Sequence, residues 1–463
     1  MFPIKTSIFY FNDYHGNDSA MGSLKTASDY FSKTRNSSQF DTFKITAGDM
    51  IKGSNNELNS MWVEFLNNMG LDVSALGNHE LDQGLQNLNN NLLKANYKYV
   101  SSNIEVNPFG PLSQSVNQAK LVKSMVINKN GNLYGILGLT PADPKYRKPG
   151  SMLNNSDIKS KDFSATLTEL QNDVNKLRQS GINKIILVSH FDDQSNVIPK
   201  TVTGIDVIVS GHKHRVHKGL VPDKNLFYSP DREPVIKVEG GQDGKYMGML
   251  DLAFDPYGRI ISADNNLMET EKIPADFSVI GLKQKFNIFK NPVGILKEPA
   301  RPDLFPEIPL GSFIADATKA KSGADIAIVA PGNISAGLEK GILTEHDIRK
   351  VQPYKNKVVK VSMTEKDITQ ALASSPEPLQ VSGIKYTITP DNKVKNVYFE
   401  PTKDEKTYTV AIDEFLLKNI KANYKIMEKF TWNQADATIE QIKNKHFMPF
   451  DIKPDGRIKV ENL

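Results

Sequence analysis

Five of the chain's eight histidines fall within a set of five short polar strings, each following an apolar run. The strings are Asn12-Asp13-Tyr14-His15-Gly16, Gly48-Asp49, Gly77-Asn78-His79-Glu80, Ser189-His190 and Gly211-His212-Lys213-His214. Imidazole with carboxylate oxygen, and no sulfur, is a donor set that suits divalent Mn, Fe, Co, Ni and Zn. Asp13 and His15, two residues apart in a turn, point the same way, as do His212 and His214. Asp49 follows Gly48, where backbone can approach a metal closely, and its two oxygens can bridge two ions. Metal pairs that hydrolyse phosphate esters lie roughly 3.5–4 Å apart and share a water or hydroxide. Asp13 and Asp49 would neutralise such a pair, and Asn78 adds a donor without charge.

Each string alone has an ordinary explanation. Asp-x-His can be a turn whose Asp caps the next element. Asn78-His79-Glu80 can open a helix over Leu81–Leu93, and His212-Lys213-His214 can be a basic surface turn. All these explanations must hold at once, so joint occurrence favours metal. His217, His346 and His446 lie outside the strings and read as structural.

Positioning five separated strings requires a frame. Ile8–Phe11, Phe43–Thr46, Val73–Leu76, Ile185–Val188 and Val207–Val209 are short, apolar and bounded by Gly, Asp or Asn, so they read as buried strands. Trp62–Met69, Leu85–Leu93 and Phe163–Leu177 carry apolar residues at helical spacing. The alternation predicts an α/β domain. Each string comes just after a strand, where open α/β sheets form their sites.

The length of 463 residues predicts two domains. A second alternation begins late in the chain, with a connecting helix over Phe277–Phe289 and a Pro-rich stretch over Asn291–Pro309. Helix Phe313–Lys321, strands Asp325–Val329 and Lys357–Val361, and a helix capped by Thr364 and Asp367 follow. Extended runs are expected at Ile384–Thr389, Val394–Phe399 and Tyr408–Ile412. The boundaries expected are 1–275, a linker over 276–305, and 306–463.

Lys and Arg number 57 against 53 Asp and Glu, with no long basic run, which gives no basis for a nucleic-acid polymer as partner. No stretch approaches the roughly 18 apolar residues of a membrane span. With no room for a secretory segment before Asn12, the chain as written reads as cytoplasmic, and as periplasmic or secreted if it is a processed mature form. Zero cysteines excludes disulfides, thiolate ligands and a Cys nucleophile. P-loop, dinucleotide-fingerprint, His-Glu-x-x-His and Gly-x-Ser-x-Gly motifs are absent, and Gly240–Lys245 reads as a strand-connecting turn.

Residues 4–255, on these strings, resemble the calcineurin-like metallophosphoesterases of the 5′-nucleotidase / 2′,3′-cyclic phosphodiesterase / UDP-sugar hydrolase family. The resemblance implies a four-layer α-β-β-α sandwich, a linking helix and a smaller α/β substrate-binding domain. It also implies two divalent ions, Zn, Mn, Co, Fe or Ni. Asp13, His15, Asp49 and His214 match the first metal site; Asp49, Asn78, His190 and His212 match the second, with Asp49 bridging. His79 and Asp82 match the family's catalytic dyad. Ser102-Asn103, Gly204–Ile208 and Gly244–Gly248, the last as a closing turn, are supporting matches.

Residues 306–463 are similar to the family's carboxy-terminal domain at Leu310–Ala317, Gln352-Pro353-Tyr354-Lys355-Asn356 and Val381-Ser382-Gly383. Tyr354 and Phe415 match the aromatic pair that sandwiches the base, with Asn356 beside them as a substrate-binding residue. Departures start here. Ala330–Ser335 replaces Asn-Gly-Gly-Gly-Ile-Arg, so Ser335 stands where the family holds phosphate with Arg. Arg301 is the nearest remaining arginine before Leu310, and Ile420–Tyr424 replaces Gly-Gly-Asp-Gly-Tyr. The implied activity is hydrolysis of phosphate esters, with nucleoside 5′-monophosphates or related nucleotides as small-molecule substrates. The alternatives are a phosphodiester, a non-nucleotide monoester, or a binding protein on a retired enzyme scaffold. By analogy, two domains joined by a helix imply a hinge.

Overall fold

The computed structural model describes residues 3–461 except 36–38, 54, 142–156, 192–195, 287–290, 303–304, 401 and 405–406. The chain divides into two compact units, Met1–Phe286 and Asn287–Leu463.

The first unit is built on two stacked sheets. Strand Ile4–Phe11 runs parallel to Asp41–Thr46 and antiparallel to Tyr246–Phe254. Val73–Ala75, Lys98–Val100 and Leu121–Val122 extend this sheet on one side, and Ile260–Glu269 closes the other. The second sheet runs Leu226–Tyr228, Pro234–Glu239, Val207–Ser210, Ile185–Ser189, Asn132–Leu139, Ser124–Lys129.

Side-chain alternation explains the layering. Ile8 and Tyr10 point to the other sheet, in one core with Tyr134, Ile136, Ile186, Val188, Val207 and Val209. Phe9 and Phe11 point the opposite way; Phe9 meets Phe31 of helix Met21–Thr34 with ring centroids 5.6 Å apart. Tyr14 packs on Trp62 of helix Asn56–Met69. On the outer face of the second sheet, Leu137, Ile185 and Leu187 bury Leu170 and Val174 of helix Phe163–Gln179. Both sheets are covered on both faces, which is why their central strands are apolar runs rather than alternating ones. The expected four layers are present.

Two local expectations are corrected. The segment from Tyr246 is not a closing turn but opens a nine-residue strand. Gly248 sits inside it because an added Cβ would lie 2.0 Å from Cζ of Tyr10. The helix after Asp276 is shorter than the run Phe277–Phe289, spanning Val279–Lys285, with residues 287–289 outside the described set. It clusters with the first unit, where Lys283 pairs with Asp18 and Lys285 with Glu64.

The second unit has a five-stranded sheet ordered Gln380–Ser382, Ile326–Val329, Thr407–Asp413, Lys357–Thr364, Lys425–Asn433. Helices Pro309–Ser322 and Gln434–Lys443 cover one face through Leu310, Ile314, Ile439 and Ile442. Helix Glu365–Ala373 and a three-stranded sheet, through Ile384, Tyr386 and Ile388, cover the other. The expected cap at Thr364 and Asp367 is a reciprocal capping box. Among the described residues, no helix is long and apolar enough to cross a membrane.

Candidate metal centre

Strands Ile4–Phe11, Asp41–Thr46 and Val73–Ala75 are parallel, as are Ile185–Ser189 and Val207–Ser210. Asp13, Asp49, Asn78, His190 and His212 follow their carboxyl ends directly. Asp13, His15, Asp49, His212 and His214 have φ of 52°, 51°, 51°, 76° and 58°. Left-handed backbone costs an ordinary residue about 1–2 kcal/mol. Each fully buried Ile or Phe of the preceding strand contributes about 1.5–3 kcal/mol, enough to hold such a turn. Strained backbone concentrated at one place is a mark of function.

These turns bring the polar atoms together. Asp13 Oδ1 lies 3.6, 3.8 and 3.3 Å from the Nε2 atoms of His15, His190 and His214. Asp49 Oδ2 lies 3.0 Å from His190 Nε2 and 3.8 Å from His15 Nε2. Three groups have donor atoms within 4.8 Å of one another: Asp13/His15/His214, Asp49/His190/His212 and His15/Asp49/His79. The third reuses His15 and Asp49. Asp13 Oδ1 and Asn78 Oδ1 are buried without a hydrogen-bond partner. Buried polar oxygens are rarely left so, and unpaired oxygens facing imidazole nitrogens fit a cation with mixed N and O ligands.

Other residues hold these donors in place. His15 Nδ1 lies 2.8 Å from Asp243 Oδ1 and His190 Nδ1 lies 2.6 Å from Ala47 O, so in both rings Nδ1 keeps a hydrogen and Nε2 is the nitrogen that would ligate once its own proton is lost. Asn12 donates to Asp13 Oδ2 (2.6 Å) and Gly241 O (2.9 Å), and the His212 N–H donates to Asp13 Oδ2 (2.9 Å). Buried Glu80 accepts the N–H groups of Asp49, Met50 and Gly77, tying two ligand turns together. An added Cβ on Gly77 would lie 2.2 Å from Asp49 Oδ1. Asn12, Ala47, Glu80 and Asp243 had no assigned role in the sequence reading.

Asn78 is not the side-chain cap of a helix. A 3₁₀ turn, His79–Leu81, follows it, the α-helix starts only at Leu85, and the Asn78 side chain makes no cap bond. His79 Nδ1 is 2.7 Å from Asp82 Oδ2, which also accepts the Gly53 N–H, while the His79 N–H donates to Asp49 Oδ1 (2.8 Å). The His79 and His15 rings are 5.3 Å apart, placing the dyad beside the cluster.

Charge balance within the ion-free cluster is mutual. Burial raises the Asp13 and Asp49 carboxyls, but nearby imidazoles outweigh it and hold both well below the usual range. Burial lowers His190, yet Asp49 and Asp13 push it up to about 10, and His15 likewise is raised by Asp13, Asp243 and Asp49. Burial and the neighbouring His190 push His212 down to about 3. Burial and Asp49 raise Glu80 to about 8.

In the second unit, Tyr354 and Asn356 line a small recess with Asn333, Gln352, Asp413 and Gln434. Phe415 is not among its lining residues; 40% exposed, it is the second residue of helix Glu414–Asn419, which Asp413 caps. Ser335 Oγ is buried without a partner, and Arg301 pairs with Glu339 at 2.6 Å.

Residues 6–216 match the calcineurin-like phosphoesterase family, and residues 290–429 match the 5′-nucleotidase C-terminal domain. Endonuclease YhcR of Bacillus subtilis (strain 168) is 24% identical over 97% of this chain, which spans 39% of that protein. A snake venom 5′-nucleotidase from Gloydius brevicauda is 28% identical over 76% of this chain and 68% of its own. The 5′-nucleotidase precursor of Thermus thermophilus has the same fold: TM-score 0.77 at 22% identity, covering 99% of this chain and 100% of that one.

Proposed function

Since this chain joins a calcineurin-like phosphoesterase domain to a 5′-nucleotidase C-terminal domain, we propose that it is a hydrolase of phosphate esters that works with two divalent metal ions. The observation that carries this reading is the unpaired, buried Asp13 Oδ1 facing three imidazole nitrogens within 3.8 Å. Asp13, His15, Asp49 and His214 would hold one ion. Asp49, Asn78, His190 and His212 would hold the other, with Asp49 shared. Zn, Mn, Co, Fe and Ni all suit these donors. Bound ions would supply Lewis acidity toward the phosphoryl oxygens and toward the attacking water.

The chain's own residues do the rest. Asp82, fixed by the Gly53 N–H, accepts the Nδ1 hydrogen of His79 and so supports the doubly protonated ring. That imidazolium gives its Nε2 proton to the leaving oxygen as the P–O bond breaks, and the proton lost by the attacking water restores it. The bond from the His79 backbone to Asp49 keeps that ring in register with the ligands.

The substrates proposed are nucleoside 5′-monophosphates or related nucleotides, supported by the 5′-nucleotidase C-terminal domain, with Tyr354, Asn356 and Phe415 as the proposed base contacts. A phosphodiester is the second reading, favoured by the whole-chain similarity to YhcR, a protein named an endonuclease. Asp49→Ala and Asn78→Ala should each lower metal-dependent hydrolysis of p-nitrophenyl phosphate by about 10³-fold or more. Turnover near wild type in either variant contradicts the assignment. AMP, UDP-glucose, cyclic nucleotides and bis-p-nitrophenyl phosphate, assayed side by side, separate the substrate classes.

A further inference from the structure

The supports of the metal cluster are divided unevenly between its two halves. One short segment, from the end of strand Pro234–Glu239 through the loop to Asp243, serves the Asp13/His15/His214 half. Asp243 Oδ1 lies 2.8 Å from His15 Nδ1, and the Asp243 N–H donates to the Asp13 carbonyl at 2.6 Å. The Asp243 carbonyl accepts from the Asn17 amide at 2.7 Å. The Gly240 N–H donates to Asn12 Oδ1 (2.6 Å), and Asn12 in turn donates to Gly241 O and to Asp13 Oδ2. On the other flank, buried Glu239 accepts the N–H of Arg215, the residue after His214, at 3.0 Å. The Gly241 N–H donates to the Arg215 carbonyl at 3.1 Å. The whole segment lies beyond residue 216, where the match to the phosphoesterase family ends.

The other half is supported differently. His190 rests its Nδ1 hydrogen on a neutral group, the Ala47 carbonyl, at 2.6 Å. Asn78, the oxygen donor that this half does not share, carries no charge. Glu80 accepts the N–H groups of Asp49, Met50 and Gly77, and because Asp49 stands between the halves this support serves both. A partner on the far nitrogen of a ligating imidazole fixes the ring and raises its basicity. A carboxylate does so with a full negative charge, which also attracts the cation itself. One half therefore brings Asp13 and Asp243 to a divalent ion, where the other brings a neutral amide and a neutral carbonyl.

We propose that Glu239–Asp243 is a bracket for one metal position, with Asp243 as the positioning residue of His15. The Asp13/His15/His214 position consequently binds its ion first, and more tightly than the Asn78/His190/His212 position. The proposal rests on the two-metal reading and adds an order of filling to it.

Calorimetric titration of the metal-free full chain with Mn tests it without any turnover. The wild type should bind two ions in two steps; His214→Ala should remove the tighter step and His190→Ala the weaker one. Asp243→Asn keeps the size of the side chain and its backbone bonds but removes the charge, and at 33% exposure the change should leave the fold intact. It should weaken the tighter step by about 10–100-fold and leave the weaker step within about twofold. With Co in place of Mn, the visible absorption of the first equivalent should shift in Asp243→Asn while that of the second stays. General loosening of the fold would not confine the change to one ion. Asp243→Glu, which restores the charge, should recover part of the lost affinity. Two ions bound without order, a tighter step that survives His214→Ala, or an Asp243→Asn variant that weakens both steps alike or neither overturns the proposal. Failure of the two-metal reading shows separately, as a wild type that takes up fewer than two ions, and it removes the proposal with it.

Discussion

The metal cluster of the first unit and the recess of the second are both built at the ends of parallel strands, yet they differ in what fixes them. In the cluster Asp13, His15 and Asp49 sit on left-handed turns and are held a second time by Asn12, Asp243 and Glu80, and Ala47 fixes the His190 ring. The recess is made of carboxamides, one carboxylate and a ring, and one buried amide head is left with an unpaired atom. A site that stabilises charge in a reaction must be rigid and charged. A site that reads a neutral group needs shape and a few unpaired donors or acceptors.

That difference predicts how each region fails. The largest effect in the dyad should come from His79→Ala, which removes the proton donor and should lower kcat by about 10²–10⁴-fold with a smaller effect on metal content. Equal kcat in wild type and variant would remove His79 from the chemistry. Gly77→Ala adds a methyl where Asp49 Oδ1 sits and should weaken metal binding by about 10–100-fold, as loss of a supporting partner does. Calorimetry with Mn or Zn reads this directly, and wild-type affinity would mean that the Asp49 turn is looser than described.

The cluster should also respond to pH. His15 and His190 are held protonated in the ion-free state by Asp13 and Asp49, whereas ligation needs neutral rings. Metal binding therefore releases protons, and affinity should rise by about tenfold per pH unit for each proton displaced. Titrations at pH 6, 7 and 8 in buffers of different ionisation enthalpy count those protons; pH-independent affinity contradicts the pairing. The smallest effect belongs to the second unit. Tyr354→Ala should raise KM for a nucleotide by about tenfold while leaving p-nitrophenyl phosphate unchanged. A fall in kcat for both substrates would mean that the two regions are not separable in this way.

What the sequence made legible follows the same division. Ligand types are few, so Asp13, His15, Asp49, Asn78, His190, His212 and His214 stand out after apolar strands; the structure draws the Asp and His members into overlapping donor groups and leaves Asn78 Oδ1 buried without a partner. Asn12 and Glu80 stand inside the strings themselves with nothing to mark their contacts, and Ala47 lies 143 residues from the His190 ring it holds. Asp243 is 228 residues from His15, inside a loop that had only a turn signal. Gly248 suggested a turn at Gly244–Gly248, when its small size instead lets Tyr10 pack across a strand. In the second unit, Tyr354 and Asn356 reach the recess and Phe415 does not line it, a separation that only the packing shows.

The most direct test of the two-metal account is to strip the full chain with a chelator and return Mn or Zn in steps. Metal bound and p-nitrophenyl phosphate turnover are measured at each step. The account predicts loss of activity on stripping and its return as two ions per chain are bound. Full turnover from protein holding essentially no metal, or saturation at one ion, would contradict it.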